Sequence, residues 1–192
     1  MTSRVLVPLA DGFEELEAVT VIDVLRRADL EVVIADLGSL DGPRHATGSH
    51  AITIATDASI DAFGGVEARA EFAALVLPGG MPGAATLRDD PRIIELVRGF
   101  EQGGQLVAAI CAAPIVLAAA GVLEGRPATS YPAFQDQLAG ATVQASDRVV
   151  VDGRVMTSQG PGTALAFALA LVAQLVDPAT ADELAGAMLV AG

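Results

Sequence analysis

Short apolar runs alternate with stretches of helical period along the chain, and this alternation predicts a parallel sheet covered by helices on both faces. Residues 5–10 read as a first strand, Asp11-Gly12 as a turn and residues 14–28 as a helix. Residues 32–35 read as a second strand, 38–49 as a loop, 52–55 as a short strand and 75–77 as a buried strand ending in Pro78-Gly79-Gly80. Asp90-Pro91 has the form of a helix N-cap with proline at the first helical position; the helix runs to about residue 102 and stops at Gly103-Gly104. A strand over 105–110 passes directly into a helix over 112–120. Asp152-Gly153, between apolar runs, predicts a hairpin. Two helices, 163–175 and 179–190, follow. Without an internal repeat or a linker, residues 1–192 read as a single domain, a flavodoxin-like α/β fold with a doubly wound, mostly parallel sheet.

Composition narrows the chemistry. The 192 residues carry 24 acidic side chains against 11 basic ones, all of them Arg, for a net charge of -13. With no Lys there is neither a Schiff-base lysine nor a P-loop lysine. One Cys leaves no disulfide framework, no C-x-x-C pair and no thiolate-rich zinc site. Two His, His45 and His50, form no HExxH motif, so neither a metal nor another cofactor is expected. The acidic balance argues against nucleic-acid binding. Residues 106–123 are uncharged, which is near the lower limit for a membrane span, yet Pro114 and Gly121 interrupt them and no basic flank orients them. A buried strand and helix in a cytoplasmic protein is the better reading, and no basic leader precedes Asp11.

The single cysteine is the most informative residue. Cys111 lies where a strand gives way to a helix, at the carboxyl edge of the sheet where open α/β folds bind ligands. A helix N-terminus beneath it is expected to favour thiolate and lower its pKa. A small buried hydrophobe is the competing reading. No His follows Cys111, so a carboxyl is the better partner. Glu17 shares helical spacing with Val21, Val24 and Ala28, which puts it on an apolar stripe, where a carboxyl must be paired or protonated. An ordinary first-turn Glu is the alternative, the role expected of Glu14 and Glu15, both read as solvated. Two glycine-rich segments, 78–83 and 158–163, offer backbone N–H groups as an oxyanion site; neither has the G-x-G-x-x-G spacing of a dinucleotide site.

Together, Gly12-Phe13-Glu14-Glu15-Leu16-Glu17, Leu77-Pro78-Gly79-Gly80, Ala109-Ile110-Cys111-Ala112-Ala113-Pro114 and Thr157-Ser158-Gln159-Gly160-Pro161-Gly162-Thr163 resemble the ThiJ/PfpI superfamily, in particular its parkinsonism-associated deglycase branch. The resemblance implies a homodimer with a reactive cysteine on a nucleophile elbow, Glu17 hydrogen-bonded to Cys111, and N–H groups of Gly79, Gly80 and Ala112 lining the pocket. It implies a small aldehyde or glycated adduct as the partner, with cofactor-independent glyoxalase or deglycase activity through a hemithioacetal. The alternative it carries is an oxidative-stress sensor or chaperone acting through a Cys111 sulfinate. Tyr131 stands where many relatives have a His, so it is a pocket residue able to donate a hydrogen bond. Arg27 aligns with an Arg near the dimer interface and cysteine, and His50 with a pocket Arg. An amidotransferase-like glutaminase would need a His downstream of the cysteine, and the chain has none.

Overall fold

A computed structural model of the chain describes residues 3–65 and 69–190. The central sheet has seven strands among these residues, in the order β10-β11-β7-β6-β1-β2-β5. They are β1 (Arg4–Leu9), β2 (Glu31–Asp36), β5 (Ala58–Ser59), β6 (Phe72–Leu77), β7 (Leu106–Ile110), β10 (Val149–Asp152) and β11 (Val155–Ser158). All pair in parallel except β10, which closes one edge antiparallel to β11. Strands β6 and β7 are apolar and almost wholly buried, as expected of a parallel sheet covered on both faces.

Two helical layers do the covering. Helix α1 (Glu15–Arg27) packs on α5 (Ala164–Leu175), which packs on α6 (Pro178–Ala187); α2 (Gly83–Asp89), α3 (Pro91–Gln102) and α4 (Pro114–Ala119) pack on one another. Phe13, Phe100 and Phe167 are the largest fully buried side chains. Burying an aromatic of this kind contributes about 1.5–3 kcal/mol. No helix among the described residues is long and apolar enough to cross a membrane, and residues 106–123 divide into β7, a turn and the short α4.

The main strands and helices lie within a few residues of their expected places. Asp90 caps α3 by accepting from the Arg92 N–H, and Gly153 turns the β10–β11 hairpin at φ +59°. The segment 38–49 is not all loop: β3 (His45–Thr47) pairs antiparallel with β4 (Thr53–Ala55). Helix α2 and the two-residue strands β8 (Pro127–Ala128) and β9 (Thr142–Val143) were not legible, because pieces this short carry little periodicity. The helix after Cys111 starts at Pro114 rather than 112. Its proline takes the first helical position, which leaves Ala112 and Ala113 in the turn.

Candidate functional site

The order β2-β1-β6-β7-β11 reverses direction between β1 and β6, and the chain segments leaving β1, β6 and β7 meet at their carboxyl ends. After β1, Gly12 at φ +86° turns the chain, Phe13 anchors it in the core, and α1 begins. The stripe of α1 that faces the core carries Val21 and Val24, and Glu17 with it, wholly buried. Oε2 of Glu17 accepts the Gly79 N–H at 2.8 Å. Its Oε1 is buried without a partner of good hydrogen-bond geometry, and Cys111 is the side chain that couples to the carboxyl. Burial, reinforced by the nearby Glu14 charge, raises Glu17 to about 7 against the opposing hydrogen bonds to Cys111 and Gly79.

Cys111 follows β7 at φ +64°, a left-handed conformation that costs a non-glycine residue roughly 1–2 kcal/mol. Neighbouring strands hold it there. Its N–H donates to Ser158 O at 2.9 Å, and its carbonyl accepts the Tyr131 N–H at 2.8 Å. The side chain is 9% exposed and receives the N–H groups of Gly80 and Ala112. A depressed thiol pKa is not what results. Burial, then the Glu17 charge, pushes the thiol up to about 12, and the two N–H groups offset only part of this. Helix α4 has six residues, too short for a strong dipole to counter desolvation. Burial thus raises both acids, and the Glu17 charge raises the thiol further, which makes the two a coupled pair.

Gly79 does not line the thiol pocket with its N–H, since Glu17 already accepts that hydrogen; Gly80 and Ala112 do. Gly79 is instead a spacing requirement. A Cβ there would lie 2.6 Å from Cys111 Cβ and 2.9 Å from Ala112 N. The second glycine segment offers no free donor at Gly160, whose N–H goes to Thr163 Oγ1 at 3.0 Å. Gly160 nevertheless borders the thiol, with Tyr131 on its other side. A cleft of about 390 Å³ opens elsewhere, between Asp36, Gly42 and His45.

Glu15 is not solvated. It is buried beneath the 48–52 turn, and its Oε1 accepts the His50 N–H at 2.6 Å while Oε2 faces His50 Nδ1 at 2.8 Å. Burial raises its pKa, but bonds from His50 and from backbone N–H groups outweigh this and bring Glu15 down to about 2. The same contact raises His50, whose ring stands at the surface over Glu14 and Glu15. Ligating atoms of Glu14, Glu15 and His50 lie within 4.8 Å of one another, yet Glu15 is already saturated by the turn. The Glu15–His50 contact spans 35 residues and has no local sequence signal. Arg27 lies ten residues beyond Glu17, about 15 Å along α1, and pairs with Asp23 at 2.7 Å, so it does not reach this chain's cysteine.

The sequence profile of the DJ-1/PfpI family matches residues 3–174. Drosophila melanogaster Protein dj-1beta is 40% identical over 192 residues, covering 100% of this chain and 99% of that protein. A Caenorhabditis elegans protein named glutathione-independent glyoxalase DJR-1.2 is 34% identical over 183 residues, covering 95% and 93%. The crystal structure of Drosophila DJ-1beta superposes with a TM-score of 0.90 at 39% identity, covering 100% of both chains. Two Arabidopsis thaliana relatives, DJ-1 homologs A and B, are longer, and this chain spans 47% and 42% of their length.

Proposed function

The chain belongs to the DJ-1/PfpI family, and from that premise we propose that it converts small 2-oxoaldehydes, free or as glycated adducts, to 2-hydroxy acids, with Cys111 as nucleophile and Glu17 as proton carrier. The observation that carries this reading is the wholly buried Glu17 carboxyl, held by the Gly79 N–H with its second oxygen left free, and coupled to Cys111 at the left-handed turn after β7. The sulfur attacks the aldehyde carbon, and the carbonyl electron pair moves to oxygen, which takes a proton to give a hemithioacetal. Glu17 then takes the proton from that carbon and returns one to the adjacent ketone carbon while the hydroxyl proton passes to the ketone oxygen, so the aldehyde carbon is oxidised as the ketone carbon is reduced. The thioester of a 2-hydroxy acid results. Water cleaves it, releasing the acid and restoring the thiol. N–H groups of Gly80 and Ala112, which face the sulfur, are the donors offered to the developing oxyanion in this reading.

The test is hydroxy-acid formation from methylglyoxal and glyoxal, corrected for buffer catalysis, by wild type, Cys111→Ser and Glu17→Gln. Loss of at least 100-fold in both variants is expected from loss of the nucleophile and of acid–base transfer. Equal rates in all three proteins would overturn the reading.

A redox role is favoured by one separate observation, the buried Glu17 Oε1 left without a partner of good geometry. Protonated, it can donate to an oxygen of a Cys111 sulfinate, and the chain holds no second Cys to divert a sulfenic acid into a disulfide. Peroxide titration followed by mass spectrometry separates this role from catalysis. Pairing with a second copy is a further part of the proposal, supported by the exposed Leu16 and Val19 on the outer face of α1.

A further inference from the structure

Close to the sulfur, the absence of one side chain lets another come near. A Cβ on Gly160 would sit 3.2 Å from Tyr131 Cδ2, tighter than an ordinary contact, and 3.9 Å from Cys111 Sγ, so the edge of an aromatic ring and the sulfur both lie against this glycine. Tyr131 is 45% exposed although Thr129 and Ser130 before it are wholly buried. Its backbone is fixed at both ends. The Tyr131 N–H donates to Cys111 O at 2.8 Å, its carbonyl accepts the Phe134 N–H at 2.9 Å, and Pro132 restricts the conformation between them. Phe134 supports the ring with centroids 6.4 Å apart and planes tilted by 54°. An exposed ring, rigidly tied to the backbone of the reactive residue, offers apolar and π surface to whatever is attached to a carbon bonded to that sulfur.

We propose that Tyr131, packed against Gly160, is a specificity-determining shelf that favours carbonyl compounds with an aromatic substituent over those with a methyl group. The inference rests on the reading of Cys111 as nucleophile and deepens it by naming the substrate class. An aromatic contact of this kind is worth about 2- to 10-fold in rate or affinity.

Two measurements test it. The first compares kcat/KM for phenylglyoxal and methylglyoxal in wild type, Tyr131→Phe, Tyr131→Ala and Gly160→Ala. The second needs no turnover: alkylation of Cys111 by phenacyl bromide and by bromoacetone, each normalised to its rate with free cysteine and followed by mass spectrometry. In that step the sulfur–carbon bond forms, bromide leaves and the thiol proton passes to solvent. The aryl-to-methyl ratio within each protein is the readout, so loss of folded protein cancels. Tyr131→Phe is expected to keep the ratio. Tyr131→Ala, which removes the ring, and Gly160→Ala, whose methyl crowds the ring edge and shifts it, lower it by about 2- to 10-fold. A ratio unchanged in Tyr131→Ala, or lost equally in Tyr131→Phe, overturns the shelf while leaving aldehyde turnover intact. An alkylation contrast that follows the variants in a protein without aldehyde turnover would sink the enzyme reading and leave the shelf standing.

Discussion

The Gly79 N–H donates to Glu17 Oε2 at 2.8 Å, and this one bond ties the segment leaving β6 to the only wholly buried carboxyl of α1 among the described residues. The same glycine leaves room for the thiol on its other side. Acid and sulfur are therefore positioned by a residue that has no side chain of its own.

Gly79→Ala is expected to destabilise the protein by about 1–3 kcal/mol, because the added methyl meets Cys111 Cβ and backbone atoms that cannot move independently. Denaturant midpoints measure the loss. The rate of Cys111 alkylation reports whether the sulfur has been displaced, and an unchanged midpoint with an unchanged rate would contradict the spacing role.

Glu17 is one group whose raised pKa makes stability vary with pH. Its folded value of about 7 lies above the ordinary 4.5, so folding favours the protonated form; that contribution is complete below pH 4.5 and lost as pH rises through 7. Glu17→Gln keeps an acceptor for Gly79 and removes the titration. The variant is expected to gain on wild type by about 3 kcal/mol between pH 4.5 and pH 8. Melting temperatures across that range check it, and a constant difference would argue against a raised Glu17.

Thiol reactivity is expected to follow the pair rather than either acid. Alkylation of Cys111 by iodoacetamide should rise through about pH 7 in wild type, where the first proton leaves. In Glu17→Gln that step disappears, and the remaining thiol titrates below the value of about 12 that the Glu17 charge helps to set. Identical profiles would show the two groups to be independent.

The turn over α1 responds to pH in two directions. Glu15 is lowered to about 2, so its contribution is present above pH 4.5 and lost as pH falls through 2. His50 is raised, so its contribution is present below 6.5 and lost as pH rises through its folded value. Hydrogen-exchange protection of the His50 and Ile52 N–H groups, which both donate to Glu15, is expected to peak between pH 4.5 and 6.5. Glu15→Gln removes the peak and returns the NMR titration of His50 toward 6.5.

Much of the site was written locally. The turn at Cys111 was legible because an uncharged strand runs straight into residues small enough for a tight bend, and Glu17 because a carboxyl interrupts an apolar helical stripe. Glu15 was misread because its first-turn position looks the same in sequence whether or not a turn 35 residues away closes over it. Which glycine N–H remains free depends on what else lies within 3 Å, and Glu17 claims Gly79 while Thr163 claims Gly160.

By itself the sequence determined the order of the main strands and helices, the single thiol and the carboxyl on the core face of α1, since periodicity and side-chain chemistry are properties of neighbouring residues. Only the tertiary structure decided how those groups ionise and what stands beside them. Burial and the meeting of β1, β6 and β7 set one acid against another, and a tyrosine ring and the sulfur came to lie against the same glycine. Desolvation and charge coupling depend on distance through space, which the linear order of residues does not contain.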